Sequence, residues 1–348
     1  MVAGNIALSN TINISVSGTP AGLGEYSTNS IVLLSNEQPL SAEPYIWAVN
    51  AQDVVNEYGS NSLTAKMAKA LFTPAFNLRT GNGQLLVYPY TATNATAGKT
   101  VTVAITSTII TALKLVSSAD LTVTVDDVDY TLTGMDFTTI STVDDIVKIL
   151  NAQGLDCNIS VVDTNKIQFQ SRRYGATESG IALKATTGGS GTDIYGTSYL
   201  NGASQVTTAG TNASGTTVAE AIAEVDEIAY VGGILRTQFC ENSLVLENAS
   251  ALQGLDHVYF EGVQSLKNIG ALGASIKSAN DTKTRLLAYS YAGAEGSKRA
   301  IATYATIACS TNYSGNNTCL TMNLKVLSGI LADLNLNQTY YTQAKTNG

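Results

Sequence analysis

Hydrophobic positions along the chain change period several times, and the changes divide it into segments. In residues 5–17, "NIALSNTINISVS", Ile6, Leu8, Ile12, Ile14 and Val16 fall at even positions, which predicts a strand with one apolar face. A Gly/Pro turn stretch follows, and "SIVLLS" (30–35) has the continuous apolar run of a buried strand. The period then becomes helical. "NAQDVVNEYG" (50–59) and "SLTAKMAKALFTPAF" (62–76) read as helices, with Leu63, Met67, Leu71 and Phe72 on one face of the second and Pro74 as its kink or end. "GQLLVYPY" (83–90) returns to strand. This β–α–β alternation predicts a layered α/β domain.

Beyond Thr91 the pattern shifts again. "LTVTV" (121–125) and "VDYTL" (128–132) flank Asp126–Asp127 as a hairpin. In "STVDDIVKILNAQG" (141–154), Val143, Ile146, Val147 and Leu150 keep helical spacing. Thr142 and Asp145 stand as a capping box, and Gly154 marks the stop. "CNISVVDTNKIQFQS" (157–171) predicts a second hairpin. The ββαββ unit so formed has Gly/Thr/Ser-rich flanks, which read as hinges. Alternation then resumes. Helices are predicted at 216–228, 243–254, 266–277 and 296–310, and strands at 230–235, 257–263 and 285–291. Leu324, Val326, Leu327, Ile330 and Leu331 predict an amphipathic helix before a polar tail. The expected fold is mixed α/β (α+β). An extended N-terminal arm (1–20) precedes a discontinuous α/β domain (21–98 plus 211–348), interrupted by an independently folding, surface-exposed ββαββ insertion (99–210).

Composition narrows the function. Apolar residues make up 44% of the 348, enough for a large core, but charged residues only 13%, about half the usual ~25%. Ser, Thr, Asn, Gln and Gly must supply the polar surface, as in extended β-rich surfaces and large assemblies. A net charge of −8 without a Lys/Arg run argues against nucleic acid as a partner. The N-terminus lacks the basic and apolar regions of a signal peptide. The most apolar long stretch, 101–116, is β-rich and broken by threonines and Lys114, so no membrane insertion is expected. Cys157, Cys240, Cys309 and Cys319 form no CxxC pair and read as buried free thiols rather than a disulfide or metal set.

No catalytic constellation appears. "GKT" (98–100) has Thr93 where a P-loop needs glycine, and a strand pattern follows it. "GLGEYS" (22–27) has Ser27 in place of the third glycine of a dinucleotide fingerprint. Asp126, Asp127 and Asp129 read as hairpin-turn chemistry rather than a calcium loop. His257 is the only histidine and sits in an apolar strand, where a satisfied core or edge role outweighs catalysis. Arg172–Arg173 read as a solvated strand end, and Trp47 as a core or interface aromatic. No catalytic, cofactor-binding or metal residue is assigned, no cofactor is expected, and the chain is not expected to be an enzyme.

The order of segments resembles a family. An even-faced N-terminal strand leads into "EYSTNSIVLLSNEQPL" and "YIWAVNAQDVVNEYGSNSLTAKMAKALFTPAFNLRTGNGQLLVYPY". After the insertion come "RLLAYSYAGAEGSKRAIATYATI" and "TMNLKVLSGILADLNLNQTYYTQAKTNG". Together these resemble contractile-tail sheath proteins of myovirus-type bacteriophages, over the whole chain and by order and texture rather than by a signature. The resemblance implies a virion structural protein, assembled in the host cytoplasm. Its rings stack around a tail tube and contract on a baseplate signal to drive the tube through the host envelope during genome ejection. The implied partners are neighbouring sheath subunits, the tail tube protein, and baseplate and tail terminator proteins. The insertion looks like the decorating domain such proteins carry. Arms that add strands to neighbours make residues 5–17 the arm candidate, an edge strand of the chain's own sheet being the other reading. Sheath proteins of this group continue past "YYTQAKTNG". The resemblance therefore carries the expectation that Gly348 is not the natural end, and that residues 1–348 alone form monomers or small oligomers. A bacterial surface-layer or adhesin-like protein is the alternative, and an α/β enzyme with a lost active site is a third reading.

Overall fold

The computed structural model describes residues 28–266, 269–280, 283–311 and 327–347. The arm candidates Ile6, Leu8, Ile12, Ile14 and Val16 lie outside them, as do the 22–27 turn and Cys319.

β1 (Ile31–Ser35) is buried along its whole length. Successive side chains of a strand point to opposite faces, so Ile31 and Leu33 enter one apolar cluster and Val32 and Leu34 another. β2 (Ile46–Ala48), α1 (Ala51–Tyr58) and α2 (Leu63–Phe72) follow, then β3 (Leu85–Pro89). Asn50 starts α1 by accepting from the N–H groups of Gln52 (2.8 Å) and Asp53 (3.1 Å), and Gly59 ends it at φ +77°. The Glu37 carboxylate accepts from Leu63 N–H (2.9 Å) and Thr64 N–H (2.8 Å), capping α2 from the loop after β1. α2 ends just before Pro74, whose ring cannot continue it.

The stretch between the two halves of the main sheet follows, through β4 (Ala92–Thr93), β5 (Lys99–Val101), α3 (Ser107–Leu113), β6 (Ala119–Val125), β7 (Val128–Met135), α4 (Val143–Asn151), β8 (Cys157–Val162), β9 (Lys166–Ser171), β10 (Ile181–Lys184), β11 (Thr192–Asp193), β12 (Val206–Thr208) and β13 (Ser214–Gly215). The order β6–β7–α4–β8–β9 is present, but its hairpins lie in different sheets. β6 and β7 pair with β10 and β11, and β8 and β9 with β5 and β12. Helix α4 has the expected capping box between Thr142 and Asp145. The β-rich reading of 101–116 fails at Ser107–Leu113, where Thr106 accepts from Ile109 N–H and starts α3. One apolar cluster runs from Ile105 to Leu200 and takes no residue from 31–97 or 218–309.

The flanks of this stretch are paired rather than loose. β4 and β13 run antiparallel, and Thr96 and Thr211 exchange backbone bonds of 2.9 and 3.2 Å. The incoming and outgoing chains thus form a two-stranded neck.

Alternation resumes with α5 (Val218–Ile228), β14 (Gly233–Arg236), α6 (Asn242–Ala251), β15 (Val258–Val263), α7 (Ile269–Asn280), β16 (Thr284–Ala288) and α8 (Gly293–Cys309), and α9 (Gln338–Asn347) follows. The main sheet has the order β16-β15-β14-β1-β3-β2, parallel except for β2. Helices α1, α2 and α8 cover the face of Ile31 and Leu33, and α5 covers the face of Val32 and Leu34. Helices α6 and α7 pack on each other through Val245, Ala249, Leu272 and Ile276. Gly262 lets α8 lie against β15, since a Cβ there would sit 2.4 Å from Ser297 O.

The C-terminal expectation needs correction. The described part of the proposed 324–331 helix is not helical. Gly329 sits at φ +76°, and Leu331 is 63% exposed. The segment is held instead by β16's end, where Tyr289 Oη donates to Leu331 O (2.8 Å) and Ser290 Oγ to Asp333 (3.1 Å). The helix forms later, as α9 in the supposed polar tail, and packs on α7.

Candidate functional site

In a doubly wound sheet, ligands bind in the crevice outside the carboxyl ends of strands at the point where strand order reverses. Here that point lies between β1 and β14. The side chains that follow these strands fill it. Asn36 N–H donates to Thr237 Oγ1 (3.0 Å), and Thr237 Oγ1 donates to Asn36 Oδ1 (2.6 Å). Asn94, arriving from the neck, accepts from Asn36 Nδ2 (3.0 Å) and from Phe239 N–H (2.8 Å). Gln238 Nε2 donates to Thr93 O (2.9 Å) and Ser214 O (3.2 Å), one carbonyl on each neck strand. The place where doubly wound folds take a ligand therefore holds the two-stranded neck.

Beside it lies a buried charge cluster. Arg236 ends β14, Glu261 is within β15 and Lys298 is in the early turns of α8. Their exposures are 1%, 1% and 3%. Arg236 Nε donates to one Glu261 oxygen (2.8 Å) and Lys298 Nζ to the other (2.5 Å). The Tyr259 hydroxyl also donates to Glu261, and Arg236 Nη1 donates to Gln238 Oε1 (3.0 Å). Burial works to raise the Glu261 carboxyl, but the ammonium of Lys298 and the guanidinium of Arg236 override it and hold it down at about 2. Burial pushes the neighbouring Cys240 thiol up to about 12, against the pull of Arg236, so Cys240 is a protonated thiol near neutral pH. The cluster is a lock joining the end of β14 and the middle of β15 to α8.

A seam continues from this lock to residues 156–178 of the stretch beyond the neck. Tyr174 stacks on Phe239 with ring centres 5.7 Å apart, and its hydroxyl donates to Gln264 (2.6 Å). Asp156 pairs with Arg172 (3.2 Å) and accepts from Ser265 Oγ (3.2 Å). Glu241, at the N-cap position of α6, makes no capping bond. Glu178 caps that helix from across the seam, accepting from Asn242 N–H (3.0 Å) and Ser243 N–H (3.3 Å). A cavity of about 30 Å³ remains among Arg172, Tyr174, Gln264 and Lys298, room for about one water molecule.

The other sequence candidates fall apart from this site. Gly98–Thr100 lead into an ordinary strand, with Thr100 paired to Phe169. Asp126 and Asp127 both have positive φ, the backbone of a two-residue hairpin turn. Among the described residues no three His, Cys, Asp or Glu side chains gather as a metal set. His257 is buried, its ring nitrogens 2.6 Å from Val231 O and 3.2 Å from Asp226, and it stacks on Tyr230. Arg172 and Arg173 belong to the seam rather than to a solvated strand end. Trp47 is 38% exposed on the edge strand β2. Cys157, Cys240 and Cys309 are free thiols, and no described helix is long and apolar enough to cross a membrane.

Sequence reading missed Arg236, Glu261, Lys298 and Glu178. One signal was available for two of them, because a charge that follows or interrupts a buried parallel strand ("GGILR", "VYFEGV") needs a partner. No family model and no curated protein matches this chain.

Proposed function

We propose that the chain is a structural subunit of a contractile phage tail sheath. In this reading it polymerises with copies of itself around a tail tube, between baseplate and tail terminator proteins. The observation that carries the proposal is the filled switch point. A fold that ordinarily keeps a ligand crevice at its strand ends has given that place to a neck, a seam and a buried ionic lock. That arrangement suits a body that transmits force better than one that processes a small molecule. The outer surfaces are then left for function. β16 is an outer strand with no further strand beside it among the described residues. Edge strands are where strand addition takes place, and β16 is the edge this reading assigns to a neighbour's 5–17 strand, with Ile6, Leu8, Ile12, Ile14 and Val16 on the apolar face.

Immunogold electron microscopy tests the reading. Antibodies raised against the 348-residue chain are expected to label the wall of contractile tails along its length. Label on a planar cell-surface lattice would instead support the surface-layer alternative. Absence of label from tailed particles would overturn the proposal.

A further inference from the structure

The chain is acidic overall, yet one cleft of about 260 Å³ is basic. It lies between α2 and α8, closed on one side by Gly329 and Ile330, and is lined by Lys66, Lys69, Glu295 and Arg299. Lys66 pairs with Glu295 (2.8 Å). Lys69 and Arg299 have no acidic partner among the described residues. Three cations face one carboxylate, a local surplus of two positive charges, with room for more than one carboxylate side chain.

The matching surplus is on the other face of the sheet. Helix α5, "VAEAIAEVDEI", exposes Glu220, Glu224 and Glu227 at i, i+4 and i+7, together with Asp226, and contains no Lys or Arg. Glu224 accepts the Tyr88 hydroxyl, Glu220 caps its own helix, and Glu227 has no partner among the described residues. The segments outside the described residues carry only Glu25 and Asp281 as side-chain carboxylates, so no acidic run there can fill the cleft.

We infer that the Lys66/Lys69/Arg299 cleft of one copy docks the acidic face of α5 of a second copy. The inference rests on the assembly reading above and names its contact. Because α2 and α8 cover one sheet face and α5 the other, a single chain cannot satisfy the pair internally. Each copy offers one basic and one acidic surface, the head-to-tail arrangement that propagates into rings or helices rather than closed two-fold dimers.

The full 348-residue chain is studied by sedimentation velocity at low and high salt. Isotopically light and heavy copies are mixed and treated with a zero-length carbodiimide. Intermolecular cross-links from Lys66 or Lys69 to Glu224 or Glu227 are expected. Lys69→Glu/Arg299→Glu and Glu224→Lys/Glu227→Lys should each weaken self-association by about tenfold or more, since attraction becomes repulsion. An equimolar mixture of the two variants should associate again, because each carries the charge the other lacks. Self-association unchanged in both variants overturns this contact and leaves the sheath reading standing. A wild-type chain that stays monomeric at low salt also overturns it. Oligomers that need both surfaces, combined with tails that fail to label, would keep the contact and remove the sheath reading.

Discussion

Glu261→Gln tests whether the ionic lock holds β14, β15 and α8 together. The substitution keeps shape and removes the one negative charge between Arg236 and Lys298, both buried. Breaking a buried pair by removing one partner costs about 3–5 kcal/mol, because the remaining charge has no counter-ion. Here two cations lose it. At about 2–4 °C per kcal/mol for a domain of this size, Tm should fall by roughly 6–20 °C. Trp47 is the only tryptophan and sits on β2, so its fluorescence in a urea titration follows the α/β unit specifically. The control is Arg236→Met/Glu261→Leu/Lys298→Met, which replaces the whole lock with apolar side chains and should stay near wild type or gain stability. An Glu261→Gln protein within about 1 kcal/mol of wild type at neutral pH would refute the lock.

The same residue gives a pH signature. A carboxyl held down in the folded state contributes stability above its unfolded pKa and loses it as pH falls through the folded one. Glu261 goes from an ordinary 4.5 to about 2. That shift is worth about 3 kcal/mol, present at neutral pH and lost between about pH 4.5 and pH 2. Glu261→Gln lacks that component, so the gap between the two proteins should narrow over this window. A gap constant from neutral pH down to about 2 would contradict the assigned coupling.

Three further outcomes are expected. The fragment 99–210 should unfold cooperatively on its own, since the Ile105–Leu200 cluster borrows nothing from the rest of the described chain; a transition without cooperativity refutes this. Glu178→Ala should cost the α/β unit about 1 kcal/mol by uncapping α6, and should speed amide exchange at Asn242 and Ser243; unchanged exchange there would remove Glu178 as the cap. Ile12→Asp with Ile14→Asp should leave Tm unchanged and abolish assembly on tail tubes, because charge on an inserted strand face resists desolvation; assembly by this variant would remove 5–17 as the arm.

What the sequence displayed and what it hid follow from the range of the interactions. β1 was legible because four apolar residues run together in "IVLL". Helix α4 was legible because its cap and its apolar stripe lie within a dozen residues. Local chemistry decided both. In 101–116, β-branched residues masked α3, a seven-residue helix whose cap comes from Thr106. In the last segment, apolar spacing predicted a helix where Asp333 instead accepts from Ser290, 43 residues earlier and just past the end of β16. The seam was hidden most completely. Glu178 caps a helix that starts 64 residues later, and Gln238 bonds Thr93 across 145 residues. Nothing in the type of any one of these residues marks it, and only the fold brings them together.

The difference in strength between these contacts bears on the proposed assembly. A subunit that shifts against its neighbours without coming apart needs internal joints stronger than its external ones. Inside, the Arg236–Glu261–Lys298 lock is buried and doubly hydrogen-bonded, and the seam adds a stacked aromatic pair and a helix cap. Outside, the Lys69/Arg299 cleft and the α5 carboxylates are solvent-facing, where an ion pair contributes about 0–1 kcal/mol and salt screens it. Under load the outer pairs should exchange partners while the seam stays closed. Loosening the seam with Glu178→Ala should therefore leave self-association intact, whereas reversing Lys69 and Arg299 should weaken it by about tenfold or more and leave Tm unchanged. If instead both variants changed association and Tm together, the joint and the contact would be one cooperative unit, and the division of labour argued here would be wrong.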